Sequence, residues 1–502
     1  MKFSFHSKRY GLLLSLLFVL PLLVSLKDIL TGSIPFWYDP ARDFLSALDN
    51  LRKPTLLGPP TGIPGVFYGP YWIWLISSGL FISKDPRFIA IVYQFVPYFT
   101  IFPYVLFKVT KSFGKAVFPL LWLLFIFSYK NYTTYLWNPH LAPLIFLVLV
   151  YILTNANFAP KSRGEYLKLV FLGFVSGLLT NFHMAFGVAT TLATFLYIAR
   201  TTQLKKNVIL TRVNAAAYVL GGVLLSFLPT IAFELRHGFH QTKAIVKTIS
   251  QATQGISDIT LEGFNNTQIL RYFFGTLGRL LQISRPYLLL VYAIGIAFII
   301  SFAVRKKIQF SNGDKRLILF LGLIIVSTLT IFLTASNPIW HYHFIGVEIV
   351  FLLLVGFILS KSPLLQKILA IWIGYLLLIS GTNFVKSFND NPLTFQSLAS
   401  KQSIVEQIYE DAGGEPFAVF AYSPAIYTYD FDYLFKWTAQ KQKSVEPKTE
   451  ISESHFVYLI IPETSEPIEL DFINYKTPNE EYMTLRVWKT PDKTLILKRK
   501  RI

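Results

Sequence analysis

The sequence predicts a polytopic α-helical membrane protein of about eleven transmembrane helices, carrying a small C-terminal soluble domain of α/β or α+β type. Three observations carry this expectation. Of 502 residues, 53% are hydrophobic and only 15% charged, whereas a soluble domain has about 25% charged residues. Apolar runs approaching the roughly 20 residues needed to cross a bilayer recur along the first three quarters of the chain. From about residue 384 the composition changes to charged, turn-rich sequence broken by short apolar runs.

The elements follow in chain order. Lys2, Lys8 and Arg9 precede the apolar run Gly11–Leu30. No small-x-small cleavage site follows cleanly, so the run reads as a retained helix rather than a signal peptide. Further spans are expected near 88–107, 116–129, 141–154, 168–181, 184–199, 214–233, 286–304, 317–335, 343–360 and 367–383. Basic loops punctuate them at Lys108–Lys115, Lys161–Lys168, Arg200–Arg212, Arg305–Arg316 and Lys361–Lys367. Placing those loops on the cytoplasmic side puts the N-terminus inside. An odd number of crossings then leaves the C-terminal domain extracytoplasmic, in a protein of the plasma membrane. The expected division is a membrane domain over 1–383, with a long first outer loop at 31–87, and a soluble domain over 384–502. Within the loop, Phe67–Ile82 is aromatic and apolar but short for a span, so it reads as an interfacial or partly embedded helix.

In the soluble part, Ser400–Tyr409 is helix-like, and Phe417–Tyr422, His455–Ile461 and Thr494–Leu497 read as strands. The basic end, Lys498-Arg-Lys-Arg501, reads as a solubilising tail or a contact with anionic headgroups.

Composition also excludes functions. The net charge of +19 suggests nucleic acid in a soluble protein, but here the basic residues sit in loops that set topology. Absence of cysteine removes thiolate and disulfide chemistry. No Gly-x-x-x-x-Gly-Lys loop cradles a nucleotide, and no internal repeat suggests a repeat-built transporter.

The candidate chemistry lies in polar clusters that the charge pattern puts on one membrane face. Tyr38-Asp39-Pro40-Ala41-Arg42-Asp43 follows the first span. Asp39 and Asp43, four apart, share a face on a helical turn. One carboxylate there takes a proton from an incoming hydroxyl or amine, while the other orients it or shares a divalent metal. Arg42 pairs with either carboxylate or with a phosphate. Tyr68 opens the aromatic segment of the same loop. Asn181-Phe-His183 places a histidine between two spans, more in keeping with a hydrogen-bonded structural role. Phe233-Glu-Leu-Arg-His-Gly-Phe239 offers Arg236 to a phosphate headgroup. Asn337-Pro-Ile-Trp-His-Tyr-His343 offers His341 and His343 to phosphate or metal.

This pattern resembles the GT-C superfamily of membrane glycosyltransferases, and within it the branch of protein O-mannosyltransferases and lipid A aminoarabinose transferases. The resemblance spans about residues 1–385 in architecture. Asp39 stands where those enzymes carry a catalytic aspartate in the first outer loop. Pro40 departs from the Glu that commonly follows it, and Asp43 substitutes in part. Gly69-Pro-Tyr-Trp-Ile-Trp-Leu75 is similar to the aromatic helix of that loop, and Trp340-His-Tyr-His-Phe344 to a late histidine-bearing segment. The resemblance implies transfer of a sugar from a polyprenyl-phosphate donor to an acceptor at the outer face by direct displacement with inversion. It implies Asp39 as general base, with Asp43 beside it. Arg42, Tyr68, His183, Arg236, His341 and His343 become candidate substrate-binding residues. The acceptor is left open among protein, lipid and polysaccharide. No cofactor is required, and a divalent metal is compatible. A lipid-linked oligosaccharide ligase or polymerase, and a lipid or sugar transporter, are the alternative readings.

Overall fold

The computed structural model of the protein describes residues 8–158, 160, 162–201, 208–253, 266–284, 287–289, 292–293, 312–334, 339–389, 394–424, 427–448 and 450–502. Among them, four helices are long and apolar enough to cross a membrane by length and composition: Pro86–Val109, Val213–Arg236, Gly313–Thr334 and Pro363–Phe388. Four shorter apolar helices join them, at Val117–Ser128, Asn138–Thr154, Met184–Arg200 and Val347–Ser360. In chain order we name α1 (Lys8–Leu30), α2 (Tyr38–Arg52), α3 (Tyr71–Leu80), α4 (Pro86–Val109), α5 (Val117–Ser128), α6 (Ala142–Thr154), α7 (Arg163–Phe182), α8 (Met184–Thr201) and α9 (Val208–Arg236). Then follow α10 (His240–Thr253), α11 (Asn266–Leu281), α12 (Asn312–Thr334), α13 (Val347–Ser360) and α14 (Pro363–Asn389). The span expected at 286–304 falls almost wholly outside the described residues.

Local sequence explains where these helices begin and how they pack. α4 opens at Asp85, whose carboxylate accepts the Arg87 N–H at 2.9 Å, and Pro86 occupies the first turn. There the missing proline N–H would have no intrahelical partner anyway. α7 and α9 cross at backbone contact. A Cβ on Gly173 would lie 1.9 Å from the Val219 carbonyl oxygen, and one on Gly222 would lie 1.9 Å from that of Val170. Lipid gives helices no hydrophobic drive to associate, so close approach through small residues is what holds such a pair.

The C-terminal part is built on a four-stranded sheet of order β1-β2-β4-β3, from β1 (Phe417–Ala421), β2 (Phe456–Ile461), β3 (Tyr482–Lys489) and β4 (Leu495–Arg501). β1 and β2 are parallel, and β4 is antiparallel to both neighbours. Helices α15 (Leu398–Ala412), α16 (Tyr429–Gln442) and α17 (Glu466–Lys476) accompany it. Two sequence expectations change. β3 was not anticipated. The basic end is no tail: Lys498–Arg501 lie in β4, between β2 and β3, and Arg499 is only 2% exposed. Its guanidinium donates to Asn479 Oδ1 and the Tyr482 carbonyl, both at 2.7 Å, and Lys498 pairs with Asp411 at 2.8 Å. Partners of this kind are what permit charge inside a fold.

The segment that follows α1 and the sheet-bearing part share one core. Phe36, Phe44, Trp72 and Ile73 cluster with Leu398, Ile404, Phe431 and Tyr433. The Tyr433 ring lies 5.7 Å from Phe36 and 5.1 Å from Phe44. Buried Lys401 of α15 donates to the Phe36 carbonyl at 3.0 Å and pairs with Asp430. The segment expected at the membrane interface contains α3, whose Trp72, Ile73, Ile76 and Leu80 are buried in this same cluster. The sheet-bearing part is thereby fixed against the segment that bears the acidic hexapeptide.

Candidate functional site

Asp39 and Pro40 occupy the first turn of α2. The four leading N–H groups of a helix have no partner within it, so Pro40 sacrifices no hydrogen bond there. The same turn is favourable for the Asp39 charge. One turn on, Arg42 reaches back to Asp39 Oδ1 with Nη1 at 2.8 Å. Its Nε and Nη2 donate to Asp43 Oδ1 at 2.9 and 2.8 Å. The second Asp43 oxygen accepts the indole N–H of Trp72 at 2.9 Å. The two carboxylates therefore share a face, as their spacing predicts, but the guanidinium lies between them.

Their environments differ sharply. The Asp43 side chain is 1% exposed and that of Asp39 27%. Burial pushes the Asp43 carboxyl up to about 6, against the pull of Arg42 and Trp72. Burial disfavours the Arg42 charge, but Asp43 and Asp39 more than offset it and raise the guanidinium above its ordinary value. Asp43 is thus the inner anchor of Arg42. Asp39 is the partly open carboxylate, with only one oxygen engaged by Arg42.

The negative charge of Asp39 acts on the hydroxyls of Tyr68, Tyr135 and Tyr342, on three separate segments. Burial pushes the Tyr68 hydroxyl up to about 12, although a hydrogen bond with the Met184 backbone opposes the rise. Trp37 stacks on Tyr135 at 6.4 Å, and Trp137 meets Tyr342 edge-on at 5.7 Å. From the start of α16 Tyr429 closes on Tyr38 at 5.1 Å.

The histidines divide by role. His183 Nδ1 accepts the Phe186 N–H at 3.2 Å, which leaves the proton on Nε2, directed to the Tyr342 carbonyl at 3.1 Å. It ties the α7–α8 elbow to the turn His341–Phe344. His343 Nδ1 accepts the Trp340 N–H at 2.8 Å. His341 is half-exposed near the Tyr272 ring, 6.2 Å away, and within the field of Arg279. Tyr342 links this turn to Asp39. Arg236 is not brought in: it is exposed at the end of α9, and among the described residues no hydrogen bond or ion pair connects it to the Asp39 cluster.

For metals, no group of three or more His, Cys, Asp or Glu side chains assembles among the described residues. Arg42 fills the space between Asp39 and Asp43, so this pair as arranged holds a guanidinium rather than a divalent cation. His341 and His343 turn to different partners.

Some residues of the site escaped the sequence reading. Trp72 anchors Asp43 from 29 positions away. Glu348, buried at the start of α13, accepts the Gly346 N–H at 2.8 Å, and its charge is felt by Tyr129 and Tyr132. Arg279, also close to Tyr129, donates to Thr276 Oγ1 at 2.8 Å. A lone carboxylate inside an apolar helix is the one signal that could have exposed Glu348.

No family model matches the chain, and no curated protein matches it by sequence. Solved structures do match in shape. ArnT from Cupriavidus metallidurans, bound to undecaprenyl phosphate, superposes with a TM-score of 0.53 at 11% identity, covering 98% of each chain. An oligosaccharyltransferase from Archaeoglobus fulgidus, in complex with zinc and sulfate, covers 95% of this chain and 72% of its own at 11% identity, with a TM-score of 0.41. The likeness to ArnT covers nearly the whole of both chains, helical bundle and small sheet together, and shows a shared fold.

Proposed function

We propose that the protein is a membrane glycosyltransferase that moves a sugar from a polyprenyl-phosphate donor to an acceptor at the outer face, with Asp39 as general base. The observation that carries this reading is the asymmetry of the two carboxylates: Asp43 is sealed against Arg42 and Trp72, while Asp39 keeps one oxygen out of the Arg42 contact. The undecaprenyl phosphate bound by ArnT supports the donor class. On this reading the bundle crosses the plasma membrane about eleven times, with the N-terminus cytoplasmic and the sheet domain outside.

In the reaction Asp39 takes the proton of the acceptor hydroxyl or amine. The freed lone pair bonds to the anomeric carbon as the carbon–oxygen bond to phosphate breaks, and the polyprenyl phosphate leaves as an anion. The sugar inverts because attack and departure occur on opposite faces. Arg42, held by Asp43, fixes the orientation of Asp39, which is the positioning that such a step depends on. Tyr68, Tyr135 and Tyr342 are hydrogen-bond donors for the sugar or the departing phosphate. His341, His343 and Arg279 are further candidates for the phosphate.

The test is incubation of the purified protein with a polyprenyl-phosphate hexose or pentose labelled in the sugar, together with membrane-lipid, polysaccharide and peptide acceptors. Movement of single labelled sugars into one acceptor fraction supports the reading. Label that stays with the polyprenyl lipid overturns it, and label that moves only in long chains favours a ligase or polymerase.

A further inference from the structure

The sequence between Glu234 and Asp258 holds Arg236, Lys243 and Lys247 and no carboxylate. It starts at the end of α9, whose stretch Val213–Arg236 is long and apolar enough to cross a membrane, and runs on into α10. The joint between the two helices is built on Glu234. Gly238, at φ +64°, turns the backbone left-handed, and the Phe239 N–H returns to the Glu234 carbonyl at 2.8 Å. The Glu234 carboxylate then accepts the Gln241 and Thr242 N–H groups at 3.0 and 2.9 Å and the Thr242 hydroxyl at 2.7 Å. These are leading donors of α10 that no helical carbonyl can reach. α10 is therefore pinned directly after the apolar stretch of α9.

α10 has a protein side and an open side. On the protein side Gln241 is 4% exposed, and its Oε1 accepts the Phe67 N–H at 2.7 Å. A Cβ on Gly65 would lie 3.3 Å from that of Ala244, so the loop before Phe67 also rests on α10. Elsewhere the helix is bare. Ile245 and Val246 are 37% and 60% exposed, and at the elbow Leu235 and Phe239 are 65% and 50% exposed. Lys243 and Lys247 are exposed too. Their spacing of four sets them on one side of the helix, and Ile245 and Val246 fall on another. Bare apolar carbons with lysines on the opposing face are the pattern of a helix lying in the plane of a membrane surface.

The charges select the occupant. Against a second copy of the same patch, Arg236, Lys243 and Lys247 would meet like charge, which opposes a homotypic contact. Anionic phospholipid offers what the patch lacks: acyl chain for the apolar residues and phosphate for the cations, at a surface that attracts basic segments. The end of the bilayer-length stretch of α9 supplies the depth at which such headgroups lie.

We propose that α10 and the end of α9 form a docking site for anionic phospholipid. Acyl chains meet Leu235, Phe239, Ile245 and Val246, and headgroup phosphates meet Arg236, Lys243 and Lys247. The site concerns the membrane and is independent of any sugar transfer.

The chain has no cysteine, so Val246→Cys gives the purified full-length protein a single point for a fluorophore. Leu224→Cys, at a half-exposed position within α9, is the control. Each labelled protein is placed in phosphatidylcholine nanodiscs that contain the same small share of a lipid brominated in its acyl chains, either phosphatidylglycerol or phosphatidylcholine. Bromine quenches only at contact. The Val246 label is expected to be quenched by both lipids, and several-fold more by phosphatidylglycerol. Lys243→Gln and Lys247→Gln should each lower that preference by about fivefold, and added salt should narrow it. The Leu224 label should be quenched equally by the two lipids. A Val246 label that neither lipid quenches overturns the proposal, because α10 then lies outside the membrane surface. Equal quenching by the two lipids, or a preference that survives both lysine substitutions, overturns the anionic site. Quenching between two labelled copies in one disc, in place of quenching by lipid, makes the face a dimer contact instead.

Discussion

Replacing Asp43 by Asn separates stability from activity in a way that few substitutions do. The Asp43 carboxyl titrates near 6 in the folded protein because it is buried, against an ordinary value of 3.8. Between those values the folded chain binds more protons than the unfolded one, so this group's contribution to stability falls as pH rises through the window. The interval is slightly over two pH units at 1.36 kcal/mol each, about 3 kcal/mol in all. With about 2.1 cal/mol/K of unfolding entropy per residue over 502 residues, that corresponds to about 3 °C in Tm. The neutral amide imitates the protonated carboxyl and has no such titration. Thermal unfolding of both proteins in detergent from pH 4 to pH 7.5 should therefore show wild-type Tm, measured relative to Asp43→Asn, declining by about 3 °C with rising pH. Activity moves the opposite way. When Asp43 is neutral, Arg42 is free to turn its whole charge onto Asp39, and an unbalanced charge-assisted hydrogen bond of about 1.5–3 kcal/mol makes Asp39 a weaker base. Transfer by the wild type should fall below about pH 6, and Asp43→Asn should be slower by about 10–100-fold at pH 7.5 with no acid limb near 6. Full activity in Asp43→Asn, or a Tm difference that is flat or rises with pH, would refute the role given to Asp43.

Trp72→Phe removes the indole N–H from Asp43 Oδ2 and should destabilise the protein by roughly 1–3 kcal/mol, while moving the acid limb of activity upward, as read from Tm and a pH–rate profile. Gly222→Ala puts a Cβ 1.9 Å from the Val170 carbonyl oxygen, so α7 and α9 must separate; a loss of roughly 1–3 kcal/mol is expected in the unfolding of the purified protein. Lys401→Met leaves Asp430 and the Phe36 carbonyl without their buried cation at the contact between the segment joining α1 to α2 and the sheet-bearing part. It should cost roughly 3 kcal/mol there, and limited proteolysis should release the sheet domain faster than from the wild type.

Much of the membrane part was legible because bilayer crossing imposes length and apolarity on each segment separately. Described helices such as Pro86–Val109 and Pro363–Phe388 fall on runs that hydropathy alone marks out. The shared face of Asp39 and Asp43 was legible for the same reason, since helical spacing is local. What could not be read was pairing across distance. Nothing in the neighbourhood of Asp43 says that Trp72 will close over it, and so its burial stayed hidden. β3 escaped although Met483, Leu485 and Val487 alternate with Thr484 and Arg486: it is an edge strand with six of its eight residues exposed, that apolar set among them, and its register shifts between Thr484 and Arg486. The basic end misled because Lys498 pairs with Asp411 and Arg499 donates to Asn479, partners that lie earlier in the chain. Arg236 drew notice by standing at a membrane edge, yet the fold leaves it outside the Asp39 cluster.

The central claim is that Asp39 is the base of a sugar transfer. The most direct measurement is single-turnover transfer from a labelled polyprenyl-phosphate sugar by purified wild type and Asp39→Asn, with donor binding measured alongside. Donor binding within about threefold of wild type and a transfer rate lower by about 10²–10⁴-fold is the predicted result. Transfer by Asp39→Asn at the wild-type rate would contradict the account.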